Sequence, residues 1–191
     1  VNFQSTLSKE IEKIELTDVL IIDMRNISGE NMSNLKYFLS YFSKSSIFGY
    51  SKQNVNHHLS IISNKTLEKK DGFIPLETID GQEKYDKELI FIVDETHNNH
   101  KNLMLKYFET LNSAHFIGEN YVLHSSESLY IETPWGYTFL MPYLQYYDVN
   151  EELIEGVKFE ADVIIPFVNT QIIGEDFYVE TAYNYALTLI E

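Results

Sequence analysis

Residues 88–111 read ELIFIVDETHNNHKNLMLKYFETL, and this stretch decides the fold class. Leu89 to Val93 is an unbroken apolar run of core-strand length that ends at Asp94. Asn98 and Asn99 are helix-starting residues, because a carboxamide oxygen accepts from the free N–H groups of a first turn. Behind them Leu103, Met104, Tyr107, Phe108 and Leu111 recur at helical spacing and predict an amphipathic helix, with Gly118 closing it. A buried strand feeding a one-faced helix is the unit from which helices are laid on a sheet.

The same alternation extends in both directions. Ser8–Leu16 predicts a short helix, Asp18–Met24 (DVLIIDM) a core strand, and Asn31–Phe42 a helix with Met32, Leu35, Leu39 and Phe42 on one face. Gly49–Asn56 reads as a polar turn, His58–Ser63 as a strand and Phe73–Ile79 as a short extended piece. Tyr121–His124, Ser128–Glu132 and Tyr137–Met141 read as successive strands, with Pro134-Trp135-Gly136 as a turn and Trp135 assigned to the core. Asp148–Gly156 predicts a short acidic helix capped by Asp148 and stopped by Gly156. Lys158–Val168 predicts a long strand marked by Pro166 as an edge or bulge. Glu175–Ile190 predicts a closing helix with Val179, Ala182, Ala186 and Leu189 or Ile190 on its buried stripe. The expected fold is a single α+β domain over residues 1–191, a mixed sheet with helices packed on it.

Charge narrows the partners. The net charge is −15, and residues 107–191 hold fourteen acids against one base, Lys158. Such a field disfavours nucleic acid and anionic membrane and favours a basic protein surface. There is no cysteine, so disulfides, thiolate metal sites and a cysteine nucleophile are excluded. No apolar run approaches the length of a membrane helix, no signal pattern opens the chain, and the cytoplasm is the expected location.

Catalytic motifs are sparse. No Gly-x-Ser-x-Gly elbow or Gly-Lys-Ser/Thr loop occurs, and Ser125-Ser126 beside His124 has no glycine elbow. Asp80, Glu83 and Lys84 lie in a turn rather than in a nuclease arrangement. His57 and His58 are adjacent and would point to opposite faces of a strand. The loop Asp94-Glu95-Thr96-His97-Asn98-Asn99-His100 concentrates possible metal ligands, but its histidines lack the spacing of a helical metal pair. The expectation is therefore no metal, no cofactor and no enzymatic activity. On the predicted acidic helix, Asp148, Glu151, Glu152 and Glu155 share one face directly after Tyr146 and Tyr147. These six residues are the predicted partner-binding site, an aromatic anchor inside a charged rim.

The order of elements from ELIFIVD through KNLMLKYFETL, GENYVLHS, YTFLMP, NEELIEG and DVIIPFV resembles the suppressor-of-fused-like domain, over roughly residues 18–190. Pro166 and Glu175 are the positions that would match that family's proline and acidic residue. The resemblance implies a non-catalytic binding domain, an immunity protein that neutralises a basic toxin. The alternatives are a nucleic-acid mimic that inhibits a DNA-binding enzyme, and a metal-dependent hydrolase centred on His97. The oligomeric state stays open.

Overall fold

The computed structural model describes residues 3–27, 31–43, 45–53, 72–79, 85–95, 99–165 and 176–190. Among these the elements in chain order are α1 (Phe3–Glu15), β1 (Val19–Asp23), α2 (Met32–Phe42), β2 (Ile47–Gln53), β3 (Ile74–Glu77), β4 (Glu88–Val93) and α3 (Asn99–Phe108). They continue with β5 (Ala114–Gly118), β6 (Tyr121–Val122), β7 (Glu127–Glu132), β8 (Thr138–Tyr147), β9 (Lys158–Phe159), β10 (Val163–Ile164) and α4 (Phe177–Ile190). The α+β class read from the sequence is the class of the molecule.

The central layer is a parallel sheet in the order β1-β4-β5-β10. Because β4 alternates large apolar residues on both faces, it is buried from both sides. Leu89, Phe91 and Val93 face the larger core with α2 and α3, whereas Ile90 and Ile92 face Ala182 and Ala186 of α4. Phe91 stacks on Phe116 of β5 at 5.6 Å between ring centroids and tilts against Phe108 of α3 at 4.7 Å. Burying each such ring is worth about 2–3 kcal/mol. Gly118 ends β5 rather than the helix, which already stops at Phe108. At φ 146° a Cβ there would lie 1.9 Å from the Val93 carbonyl oxygen, so only glycine lets the two strands stay paired.

A second, antiparallel sheet in the order β3-β2-β8-β7 lies beside α3. Its β2 replaces the turn expected from Gly49 as far as Gln53, with residues 54–56 outside the described residues, and β8 runs on to Tyr147 instead of ending at Met141. The predicted 58–63 strand and Pro166 lie outside the described residues. The long strand expected from Lys158 is two short ones, β9 and β10, since Asp162 leaves the ladder to accept from the Phe116 N–H at 2.7 Å. In α4 the buried stripe is Tyr178, Ala182 and Ala186, and Val179 and Ile190 face outward. Trp135 sits at the β7–β8 turn and is 80% exposed, not in the core.

The acidic helix is absent. Asp148 turns its carboxylate onto the N–H groups of Asn150 and Glu152, 2.8 and 2.9 Å away, and closes a tight turn. Glu151 takes the left-handed φ of 63°, and Tyr147 bridges to Leu153. A carboxylate that bonds to its own following backbone offers the chain an alternative to helix, and here the alternative wins. No single face of Asp148, Glu151, Glu152 and Glu155 exists.

Candidate functional site

The carboxyl ends of β1, β4 and β5 deliver Asp23, Asp94 and Glu119 to one side of the parallel sheet, where crevices of such sheets bind ligands. Asp94 organises this edge. One carboxylate oxygen accepts from Lys101 Nζ at 2.9 Å and the other from the Asn26 N–H at 3.0 Å. Lys101 also donates to the Asp94 carbonyl, and its side chain is wholly buried. Burial pushes the lysine's pKa down, against the pull of Asp94. Arg25 extends the network by gripping Asp23 and Asp176 together and lying over the Tyr178 ring, which ties the end of β1 to the start of α4.

The first turn of α3 stands between two cavities. On the α2 side a cavity of about 370 Å³ has mainly apolar walls, among them Phe3, Met24, Leu35 and Phe38, and His100 and Lys101 reach its lining. On the β7–β8 side a polar cavity of about 290 Å³ is lined by Asn99, Ser126, Glu127, Ser128 and Tyr143. His100 and Glu127 face each other across the ridge, Nε2 to Oε1 at 3.9 Å. That separation is an electrostatic contact rather than a hydrogen bond.

Glu127 is the most strongly tuned carboxylate of this region. The neighbouring His100 holds its pKa down, burial opposes that, and the hydroxyls of Tyr146 and Tyr143 lower it further, to about 2. Tyr143 donates at 2.9 Å, and Tyr146 donates to the other oxygen. In return, burial and Glu127 push the Tyr143 hydroxyl up to about 12. His100 is 7% exposed, its Nε2 lies on the Glu127–Tyr146 side, and its buried Nδ1 has no hydrogen-bond partner among the described residues. A histidine held through one ring nitrogen can exchange a proton through the other.

The Ser126 hydroxyl beside the polar cavity is not bonded to His100. Asn99, at the head of the ridge, carries a carboxamide that donates to the Ser126 carbonyl at 3.2 Å. Ser126 Oγ donates to Glu155 instead, which also accepts from His124 and from the N–H groups of Ser125 and Ser126. That cluster is a loop latch: the carboxylate, not the histidine, receives the hydroxyl proton. Its four donors outweigh its burial and lower the Glu155 pKa. Among the described residues no group of three or more His, Asp or Glu side chains could hold a metal ion, and His97 lies outside them.

The six residues expected to bind a partner are scattered in role. Tyr146 is buried against Glu127 and His100, and Asp148 is buried in its turn. Glu155 is committed to the latch. Tyr147 is half-buried, and Glu151 and Glu152 are exposed. Of the six, Tyr146 alone bonds to the His100–Glu127 pair, and it lines neither cavity. His100, Glu127 and Tyr143 were missed because they come together from three elements. The one signal in the sequence was a histidine set between the helix-starting Asn99 and Lys101, directly after an apolar strand.

No protein-family model matches this chain, and no curated protein sequence matches it. Solved structures do. A candidate peptidase of Parabacteroides merdae shares 18% identity with a TM-score of 0.74, over 96% of this chain and 56% of that one. Mature CPAF in complex with lactacystin shares 12% identity with a TM-score of 0.73, over 98% of this chain and 47% of that one. The photosystem II D1 C-terminal processing protease shares 10% identity with a TM-score of 0.59, over 85% and 38%. This chain thus spans about half the length of the structures it matches. The shared fold overturns the suppressor-of-fused resemblance. It overturns with it the expectations of an immunity protein or toxin inhibitor and of a chain without enzymatic activity. An order of strands and helices does not fix how the strands pair, and here they form the parallel β1-β4-β5-β10 sheet with its antiparallel neighbour.

Proposed function

We propose that this chain is the polypeptide-binding, peptidase-type domain of a proteolytic protein. The observation that carries this reading is the divided cleft over the first turn of α3, at the carboxyl ends of the parallel strands. It occurs in a fold matched along nearly the whole chain by structures named as peptidases. The apolar cavity receives one side chain of an extended polypeptide. His100 Nδ1 accepts the proton of the attacking hydroxyl or water and returns it to the leaving amine. Glu127, beside Nε2, fixes the ring and stabilises the imidazolium between the two transfers. The attacking group lies beyond the contacts described above. The cysteine-free sequence suits a reducing compartment, and the cytoplasm is the location we propose.

The test is cleavage of fluorescently labelled casein by the protein. Labelled fragments should be released, and His100→Ala should slow their release about 100-fold, the lower end of what a general base contributes. Failure to bind or cleave casein would overturn the proteolytic reading. Full-rate cleavage by His100→Ala would remove His100 from the chemistry while leaving the cleft.

A further inference from the structure

We propose that the cleft selects a polypeptide with an apolar residue close to a lysine or arginine, the basic side chain entering the polar cavity against Glu127. This rests on the polypeptide-binding reading above and adds the substrate class to it.

Three observations meet here. First, the two cavities meet at the first turn of α3, where Asn99 lines the polar one and the next residue, His100, lines the apolar one. Side chains of an extended peptide alternate from one side to the other, so residues close together in one polypeptide can enter both cavities. Second, the cavities differ in chemistry. The α2 side is walled mainly by aliphatic and aromatic groups, with Asp23, His100 and Lys101 also reaching its lining. Among the described residues the polar side has Glu127 as its one ionic group, with Asn99, Ser126, Ser128 and the Tyr143 hydroxyl around it and no lysine or arginine in its lining. Third, Glu127 stays ionised at any ordinary pH. Its known partners, two tyrosine hydroxyls at the carboxylate and the His100 ring at 3.9 Å, leave room for further donors, since a carboxylate offers about four acceptor positions.

An anionic, hydrogen-bond-accepting cavity in low-dielectric surroundings prefers a guanidinium or ammonium to a neutral side chain and rejects a carboxylate. The wider field points the same way, because the segment that builds this cavity belongs to the half of the chain with fourteen acids and one base. The apolar cavity supplies affinity without distinguishing charge. The polar cavity supplies the sign.

The experiment uses short fluorescein-labelled peptides with Gly-Ser flanks and a central Leu-Arg, Leu-Ala, Leu-Asp or Asp-Arg pair, read by anisotropy on the unaltered protein. Leu-Arg should bind about tenfold more tightly than Leu-Ala, with Leu-Asp and Asp-Arg weaker still. Glu127→Gln, which keeps the side-chain size and removes the charge, should bring Leu-Arg down to the level of Leu-Ala. Equal binding of Leu-Arg and Leu-Asp, or a Leu-Arg preference that survives Glu127→Gln, would overturn the selectivity and leave the polypeptide-binding reading intact. Binding of none of the peptides would overturn both. The ranking on the unaltered protein decides the matter even where the variant folds poorly.

Discussion

Lys101 and Asp94 meet at 2.9 Å on a lysine side chain with no exposed surface, at the point where β4 hands over to α3. The pair joins three segments, because Asp94 also holds the Asn26 N–H of the turn after β1. Removing one partner strands the other in a dry site. Lys101→Met should therefore cost about 3–5 kcal/mol, and Lys101→Met with Asp94→Asn distinctly less. Urea unfolding of the single and double variants checks this. Equal losses in both would mean that the lysine acts through packing alone.

Acid should unfold the protein partly through Glu127. Its pKa falls from an ordinary 4.5 to about 2 on folding, so its contribution is complete above 4.5 and lost as pH falls toward 2. The size is on the order of 2–3 kcal/mol, since the side chain is only partly exposed. Thermal melts of Glu127→Gln should show a shallower fall in Tm across that window than the unaltered protein. Parallel pH profiles would assign the acid sensitivity to other carboxylates.

Gly118→Ala places a methyl group 1.9 Å from the Val93 carbonyl oxygen. The β4–β5 ladder must open for it to fit, so the variant should lose more than about 3 kcal/mol or fail to fold. Stability near that of the unaltered chain would show that the ladder can slide.

The acidic segment after β8 should respond residue by residue. Glu155→Lys removes the acceptor of the Ser125 and Ser126 N–H groups and should cost about 2 kcal/mol. Glu151→Gly relieves a left-handed φ of 63° and should gain about 0.5–1 kcal/mol. Hydrogen exchange at Ser125 and Ser126 reads the first change, and denaturant unfolding reads both.

Where apolar periodicity was strong, the sequence was legible. The strands at 19–23 and 88–93 and the helix at 32–42 stand where their patterns put them, and the helix from Asn99 starts where expected but stops at Phe108, short of Leu111 and Gly118. The reading failed where short-range hydrogen bonds outbid helical spacing, as at Asp148, and where sheet pairing covered a polar stretch, as at β2. Val179 misled for a different reason. The helix α4 carries apolar residues on two sides, and composition cannot say which side meets the sheet. The cleft was invisible because Glu127 and His100 are neighbours only once β7 has been laid beside α3. A charge count located the acidic half correctly but not the few carboxylates that face a cavity.

The register of the central sheet also fixes a timetable. Val19 pairs with Glu88, and Ile117 pairs with Val163, both in parallel ladders that no local turn can template. During synthesis the run Val19–Ile22 leaves the ribosome long before β4 exists to cover it, and β10 arrives last. Assembly must wait for distant partners and so should be slow. A nascent chain halted before residue 88 would present an unpaired apolar strand to its surroundings, which makes that interval the one in which a chaperone has most to do.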